Sequence, residues 1–173
     1  MEDGLIYYLA YGSNMAENRL RQRIASARKL GVVELPGYRL TFGNASTKDQ
    51  SAKCDALYTG LPEDLVLAVL YRMAAEEKER LDGFEGLGVE YRDHYLSVLS
   101  PGGGTVEALI YLATNLNPQL QPYHWYKEHV LRGAMENYLP EGYLARIREI
   151  PSIDDPDPLR QARELAIYVT DRK

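Results

Sequence analysis

Tyr91-Arg92-Asp93-His94-Tyr95-Leu96-Ser97-Val98-Leu99, then Ser100-Pro101-Gly102-Gly103-Gly104 and, past Thr105, Val106-Glu107-Ala108-Leu109-Ile110-Tyr111-Leu112-Ala113, is the stretch that decides the fold class. The first run alternates in polarity, the period of a strand with one face buried. The proline and three glycines supply turn chemistry. The second run is apolar enough to lie inside a sheet. Two such runs around one glycine-rich turn predict an antiparallel hairpin.

Toward the N-terminus, more strands are expected. Leu5 to Ala10 is a short apolar run ending at a glycine-containing turn, and Lys29 to Leu35 is stopped by Pro36-Gly37. Tyr38 to Phe42 alternates, then gives way at Gly43-Asn44 to a polar stretch reaching Lys53, read as a long loop. Ala56 to Gly60 and Leu65 to Met73 read as two strands joined by a turn around Pro62-Glu63. Two helices interrupt the strands: Met15 to Ile24, with Asn14 as its N-cap, and the charged Ala75 to Leu81, ending near Asp82-Gly83.

Beyond residue 120 the pattern becomes helical. Pro122 suits a helix start, and Tyr126, Val130 and Ala134 recur every four residues. A second helix, Glu141 to Ile150, follows Pro140. Pro151 to Pro158 is a rigid acidic connector, and Leu159, Ala162, Ala166 and Val169 mark a last amphipathic helix. Strands before helices predict an α+β fold: a mostly antiparallel sheet curled into a small barrel with flanking helices. The 173 residues are expected to form one domain, with a C-terminal helical extension from about residue 151.

Composition excludes several function classes. The net charge is −5 and the basic residues form no stripe, which argues against a nucleic-acid partner. Apolar runs such as Leu65 to Tyr71 are too short to span a bilayer, and Met1-Glu2-Asp3 is acidic where a secretory leader is basic. A cytoplasmic chain is expected. The single Cys54 allows neither an intramolecular disulfide nor a cysteine-based zinc cage. His124 and His129 are five apart, off the i, i+4 face, and with His94 they make no recognised metal spacing. Ser13 lies in no G-x-S-x-G elbow. The 14 tyrosines against 2 phenylalanines suit half-buried rings with wet hydroxyls in a curved sheet, or several hydroxyls lining a polar pocket.

Two short constellations carry chemical interest. At Tyr11-Gly12-Ser13-Asn14 a glycine at a strand-to-helix bend permits close approach of a ligand. Free N–H groups there suit a carboxylate or an oxyanion, although a plain capping turn uses the same residues. At Leu81-Asp82-Gly83-Phe84-Glu85-Gly86 a glutamate stands between glycines and beside an aromatic ring, beyond the end of the charged helix. A carboxylate held against apolar surface has a raised pKa, the property of a general acid/base; a solvated loop glutamate is the competing reading.

Taken together these segments resemble the γ-glutamylcyclotransferase family. Tyr8-Leu9-Ala10-Tyr11-Gly12-Ser13-Asn14-Met15 looks like that family's first strand and Y-G-S-N loop. Arg19 and Arg23 fall where members often carry arginine, and Phe42-Gly43-Asn44 looks like a second family segment. Leu81-Asp82 through Glu85-Gly86, followed by Tyr91, is similar to the stretch holding the catalytic glutamate. Tyr126-Lys127 and Gly133-Ala134-Met135-Glu136-Asn137 with Leu139-Pro140 resemble the late helix. The resemblance runs in order from residue 8 to about residue 140.

The resemblance implies a mixed α/β fold with a barrel-like sheet and an activity that uses no metal and no cofactor. The α-amine of a γ-glutamyl substrate attacks its own γ-carbonyl, giving 5-oxoproline and a free amino acid or amine. It further implies Glu85 as catalytic acid/base, Tyr11, Gly12, Ser13 and Asn14 as the cradle of the γ-glutamyl unit, and Tyr91 and Tyr126 as pocket lining. The expected partner is a small γ-glutamyl molecule, with no nucleic acid and no membrane; a homodimer is admitted. Gly83-Phe84 and Asp55-Ala56 depart from some members, and the segment after Pro140 matches none, which leaves the leaving group open. One alternative removes a γ-glutamyl group from a biosynthetic intermediate or a γ-glutamylamine. Another is a non-catalytic ligand-binding or interaction domain on the same fold.

Overall fold

The computed structural model describes residues 4–169. In chain order it has β1 (Leu5–Ala10), α1 (Glu17–Arg23), β2 (Arg28–Pro36), β3 (Tyr38–Ala45), β4 (Ala52–Tyr58), β5 (Leu65–Ala74), α2 (Lys78–Glu85), β6 (Tyr91–Leu99), β7 (Thr105–Ala113), α3 (His124–Glu136), α4 (Glu141–Glu149) and α5 (Pro158–Leu165), with short 3-10 turns at Ser13–Met15, Ala75–Glu77 and Ala166–Tyr168. Five strands form one sheet in the order β2-β5-β1-β7-β6, and β3 pairs with β4 in a separate ribbon. The β6–β7 hairpin sets Tyr91 opposite Ala113 and Leu99 opposite Thr105. Every strand pair is antiparallel except β1 with β7, where Tyr7 faces Ala108 and Tyr8 faces Leu109. Among the described residues no helix is long and apolar enough to cross a membrane.

The α+β class holds, but the sheet does not close into a barrel. Closure would require β2 and β6 to hydrogen-bond, and both remain edges. β2 is bulged between Lys29 and Gly31, which bends the edge out of register. Against that bulge lies a proline ring: a Cβ on Gly31 would stand 2.8 Å from Pro101 Cγ. Proline offers no N–H to a ladder, so the two edges meet through packing alone.

One further expectation is corrected. The polar stretch from Gly43 to Lys53 is not one loop, because β3 runs to Ala45 and β4 starts at Ala52. The strands expected on either side of Pro62-Glu63 are present as β4 and β5, in different sheets: β4 binds β3, and β5 lies between β2 and β1. The two links crossing between the sheets are stitched to each other, with Gly37 N–H donating to Asp64 O (2.8 Å) and Thr59 N–H to Gly37 O (2.8 Å). β5 is buried without interruption from Val66 to Tyr71, so its apolar run reflects a strand covered on both faces.

The segment after residue 151 is anchored through two carboxylates, Asp155 and Glu164. Asp155 accepts from Trp125 Nε1 (2.7 Å) and from Arg160 Nε (2.6 Å) and Nη2 (2.5 Å). Asp157 caps α5 by accepting from the N–H groups of Leu159 and Arg160, with Pro158 in the first turn. Farther along, Glu164 pairs with Arg19 and His129, and His129 Nδ1 meets the Tyr168 hydroxyl at 2.6 Å. The Arg160 guanidinium holds the Asp155 carboxyl down at about 2. A carboxyl lowered in this way stabilises fully above the ordinary aspartate value near 3.9 and loses that contribution as pH falls through about 2. Asp155→Ala strands the Trp125 N–H and is expected to cost about 2 kcal/mol. Thermal unfolding measures the loss, and red-shifted emission from Trp125, the one tryptophan, reports that the connector has left it.

Candidate active site

β1 delivers the chain directly into the bend at Gly12, and the 3-10 turn Ser13–Met15 precedes α1. Asn14 does not cap α1. That position belongs to Ala16, which makes no side-chain capping bond. The buried Asn14 amide instead turns inward and joins three partners. Its Nδ2 donates to Glu85 Oε1 (2.7 Å) and Tyr8 Oη (3.0 Å), and its Oδ1 accepts from Arg23 Nη1 (3.2 Å). With Oδ1 facing a guanidinium, the amide nitrogen is left to face the carboxylate.

Glu85 is the last residue of α2, not a loop residue beyond a helix. The stop is Gly86, whose left-handed conformation (φ 67°, ψ 46°) ends the helix and turns the chain toward β6. Glu85 is half-buried. Burial raises its carboxyl above the ordinary glutamate value, against the opposing pull of Arg23, Lys48, Arg19 and the Asn14 hydrogen bond. The negative end of α2 works in the same direction as burial. Lys48 offsets part of that, because its Nζ donates to Phe84 O (2.7 Å) beside the carboxylate. The loop that carries Lys48 is pinned by the buried Glu90, which accepts from Thr47 N–H and Thr47 Oγ1 at 2.7 Å each.

Two adjoining spaces meet at Glu85. An inner recess of about 30 Å³ is walled by tyrosine rings and the 12–14 bend. An outer vestibule of about 190 Å³ shares Ser13, Glu85, Tyr91 and Tyr126 with it and adds charged side chains. Tyr91 Oη donates to Cys54 O (2.6 Å), Tyr126 Oη accepts from Cys54 N–H (3.0 Å), and Tyr11 Oη donates to Tyr111 O. These hydroxyls are buried and held by backbone in residues that line the recess, which fits the pocket-lining reading of the tyrosines rather than the wet-hydroxyl one. Burial pushes the phenol pKa of Tyr8, Tyr11, Tyr91 and Tyr126 well up, keeping all four neutral. A larger cavity of about 370 Å³ lies between β3 and α4, floored by Leu40, Phe42 and Ile147. Among its lining residues Asp64 is clamped by Arg39 and held low.

This arrangement can be set beside known proteins. Residues 65–147 match the model of the AIG2-like family. The chain is 30% identical over 156 residues to Gamma-glutamylcyclotransferase of Homo sapiens, covering 88% of this chain and 82% of that one. The chain belongs to the γ-glutamylcyclotransferase family. It is 33% identical over 147 residues to Gamma-glutamylcyclotransferase of Mus musculus, covering 83% and 77% of the two chains. A solved structure named Gamma-glutamyl cyclotransferase superposes with a TM-score of 0.81 at 27% identity, over 95% of this chain and 99% of that one.

In this γ-glutamylcyclotransferase-family chain, Tyr11, Gly12, Ser13, Asn14, Glu85, Tyr91 and Tyr126 all line the inner recess. Local reading missed others beside them. Tyr8 and Tyr111 complete the wall, and Tyr8 shares the Asn14 amide with Glu85. Tyr8 lies in the first apolar run, where its polar tip was a usable signal. Lys48 and Lys53 sit in the stretch read as loop and Glu90 between α2 and β6, and nothing local marks them. Lys53 is fastened to Asp49 (2.8 Å) beneath the rings of Trp125 and Tyr126. Among the described residues no group of three or more His, Cys, Asp or Glu is placed to hold a metal ion.

Proposed function

We propose that this protein converts a γ-glutamyl amino acid or γ-glutamylamine into 5-oxoproline and the free amino acid or amine. The observation that carries the proposal is Glu85: a half-buried carboxyl of raised pKa, oriented by Asn14 at the mouth of the tyrosine-walled recess. The substrate α-amine is protonated near neutral pH and must lose a proton before it can attack. Glu85 accepts that proton and the amine nitrogen bonds to the γ-carbonyl carbon. Glu85 passes the proton to the departing nitrogen as its bond to that carbon breaks. The second proton shed by the attacking nitrogen follows the same route, so that the ring keeps one N–H and the amine leaves as an ammonium. One carboxyl thus serves both halves, and no net proton is gained or lost.

The bend at Gly12 to Asn14 is the proposed cradle for the γ-glutamyl unit. The N–H groups of Ser13 and Asn14 open the 3-10 turn and have no backbone acceptor among the described residues, which supports a role toward the α-carboxylate or the oxyanion. Tyr11, Tyr91 and Tyr126, fixed by their backbone bonds, hold the substrate folded so that amine and carbonyl meet. The lone, buried Cys54 thiol fits a reducing, cytoplasmic setting.

A panel of γ-glutamyl dipeptides, γ-glutamylamines and larger γ-glutamyl conjugates, assayed for 5-oxoproline, tests the activity and ranks the leaving groups. Release from at least one member is expected. Saturable binding with no 5-oxoproline after hours of incubation assigns the chain to the non-catalytic alternative instead.

A further inference from the structure

Two arginines of α1 line the vestibule outside the proposed cradle of the γ-glutamyl unit. Arg19 and Arg23 stand one turn apart on α1, so they share a face of that helix, and both line the vestibule. Arg19 is buried. Its Nη1 serves Glu164 and His129, yet its Nε–H is out of solvent and has no acceptor. Arg23 gives one N–H to Asn14, lays its guanidinium over Phe84 at 5.0 Å from the ring centre, and has no ion pair among the described residues. Lys48 adds further positive charge from the opposite wall.

Of the four acidic groups of the vestibule, Glu85 is the proposed acid/base and the other three have partners of their own. Glu164 is held by Arg19 and His129, Glu90 by Ser46 and Thr47, and Asp49 by Lys53. None of these three forms an ion pair with Arg23 among the described residues. Burial and the neighbouring Arg19 pull the Arg23 pKa below the ordinary arginine value, and Glu85 and Glu164 offset part of that. The inner recess, by contrast, is walled by tyrosines and the 12–14 bend and contains no cation.

We propose that Arg19 and Arg23 form a carboxylate subsite for the released half of the substrate, selecting leaving groups that carry a carboxylate over neutral or cationic amines. This rests on the proposed Glu85 chemistry, since Glu85 lines both spaces and returns its proton where recess meets vestibule. In an α-amino acid the carboxylate lies two bonds from the departing nitrogen, and so falls on the vestibule side. A guanidinium presents paired N–H donors to the planar carboxylate, whereas an ammonium-bearing leaving group meets like charge.

The test compares kcat/KM for γ-glutamyl-alanine and γ-glutamyl-alaninamide, which differ only in the carboxylate, in wild type and in Arg23→Met. Arg23 is chosen because Arg19 is built into the contact with α5. Wild type is expected to favour the carboxylate about 10-fold or more. Arg23→Met is expected to bring the ratio close to one, chiefly through a higher KM for γ-glutamyl-alanine, and Arg23→Lys to restore part of it. A variant that slows both substrates alike with the ratio intact overturns the subsite and leaves Arg23 as a support for Asn14 and Glu85. So does a wild type that treats the two compounds equally. If wild type releases 5-oxoproline from neither, the proposed activity falls, and calorimetric binding of the same pair to Glu85→Gln judges the subsite separately. Equal binding of both overturns it, and tighter binding of the carboxylate that is lost on adding Arg23→Met upholds it.

Discussion

Glu85→Gln is expected to slow 5-oxoproline formation by roughly 10²–10⁴-fold while the protein stays folded. Glutamine keeps the shape of the side chain, and its oxygen still accepts from Asn14 Nδ2. What it cannot do is take a proton from the substrate amine. The pH dependence follows from the same carboxyl. Its pKa is raised by burial, so wild-type kcat/KM should climb with pH through a value above the ordinary glutamate figure near 4.3, where the base becomes ionised. The stability sign is opposite. A carboxyl raised in the folded state stabilises below its unfolded pKa, and that contribution is lost as pH rises through the folded value. At pH 7 the glutamine variant should therefore unfold no earlier than wild type. Steady-state rates and thermal unfolding across pH check both halves, and an unchanged rate would remove Glu85 from the mechanism.

Gly133→Ala should produce the largest loss of stability from the smallest change in the chain. Alanine normally improves a helix interior by up to about 1 kcal/mol relative to glycine. At this position the sign reverses, because a Cβ would stand 2.6 Å from both Ala16 N and Met15 Cβ. The obstacle includes backbone, which cannot swing aside, so α3 and the Ser13–Met15 turn must separate. A cost of about 3 kcal/mol is expected. For a chain of this length that lowers the unfolding midpoint by roughly 6–12 °C. Gly142 in α4 is the contrast, since a Cβ there meets nothing within 4 Å. Its replacement by alanine should be neutral or stabilising. Activity should fall with Gly133→Ala even below the transition, because the displaced turn carries Ser13 and Asn14.

What could be read from sequence was local, and what could not was not. The β6–β7 hairpin and strands β1, β2 and β5 follow from period and turn residues alone. Asn44, Ser51 and Lys53 looked like loop because they are polar, yet Asn44 and Ser51 are buried, and Lys53 is covered by Asp49 and aromatic rings. Asp49 is local, but the rings come from α3, far along the chain. Gly83 read as the end of α2, but it lies inside the helix with open space around it, and Gly86 is the true stop. Asn14 has the chemistry of a cap and was assigned one; Glu85, 71 residues away, claims its amide instead. The α+β class was legible while strand order and the open sheet were not, since edge pairing depends on which strands meet.

The bonds at position 54 have a consequence for how this protein can drift. Tyr91 and Tyr126 are fastened to the carbonyl and the N–H of Cys54, groups that nearly every amino acid possesses. The shape of the recess is thus written into a peptide unit rather than into a side chain. Mutation at that codon is filtered by bulk and by the ability to stay in β4, while the thiol itself carries no catalytic inheritance. A lineage could exchange it for another small residue and pass on the same pocket.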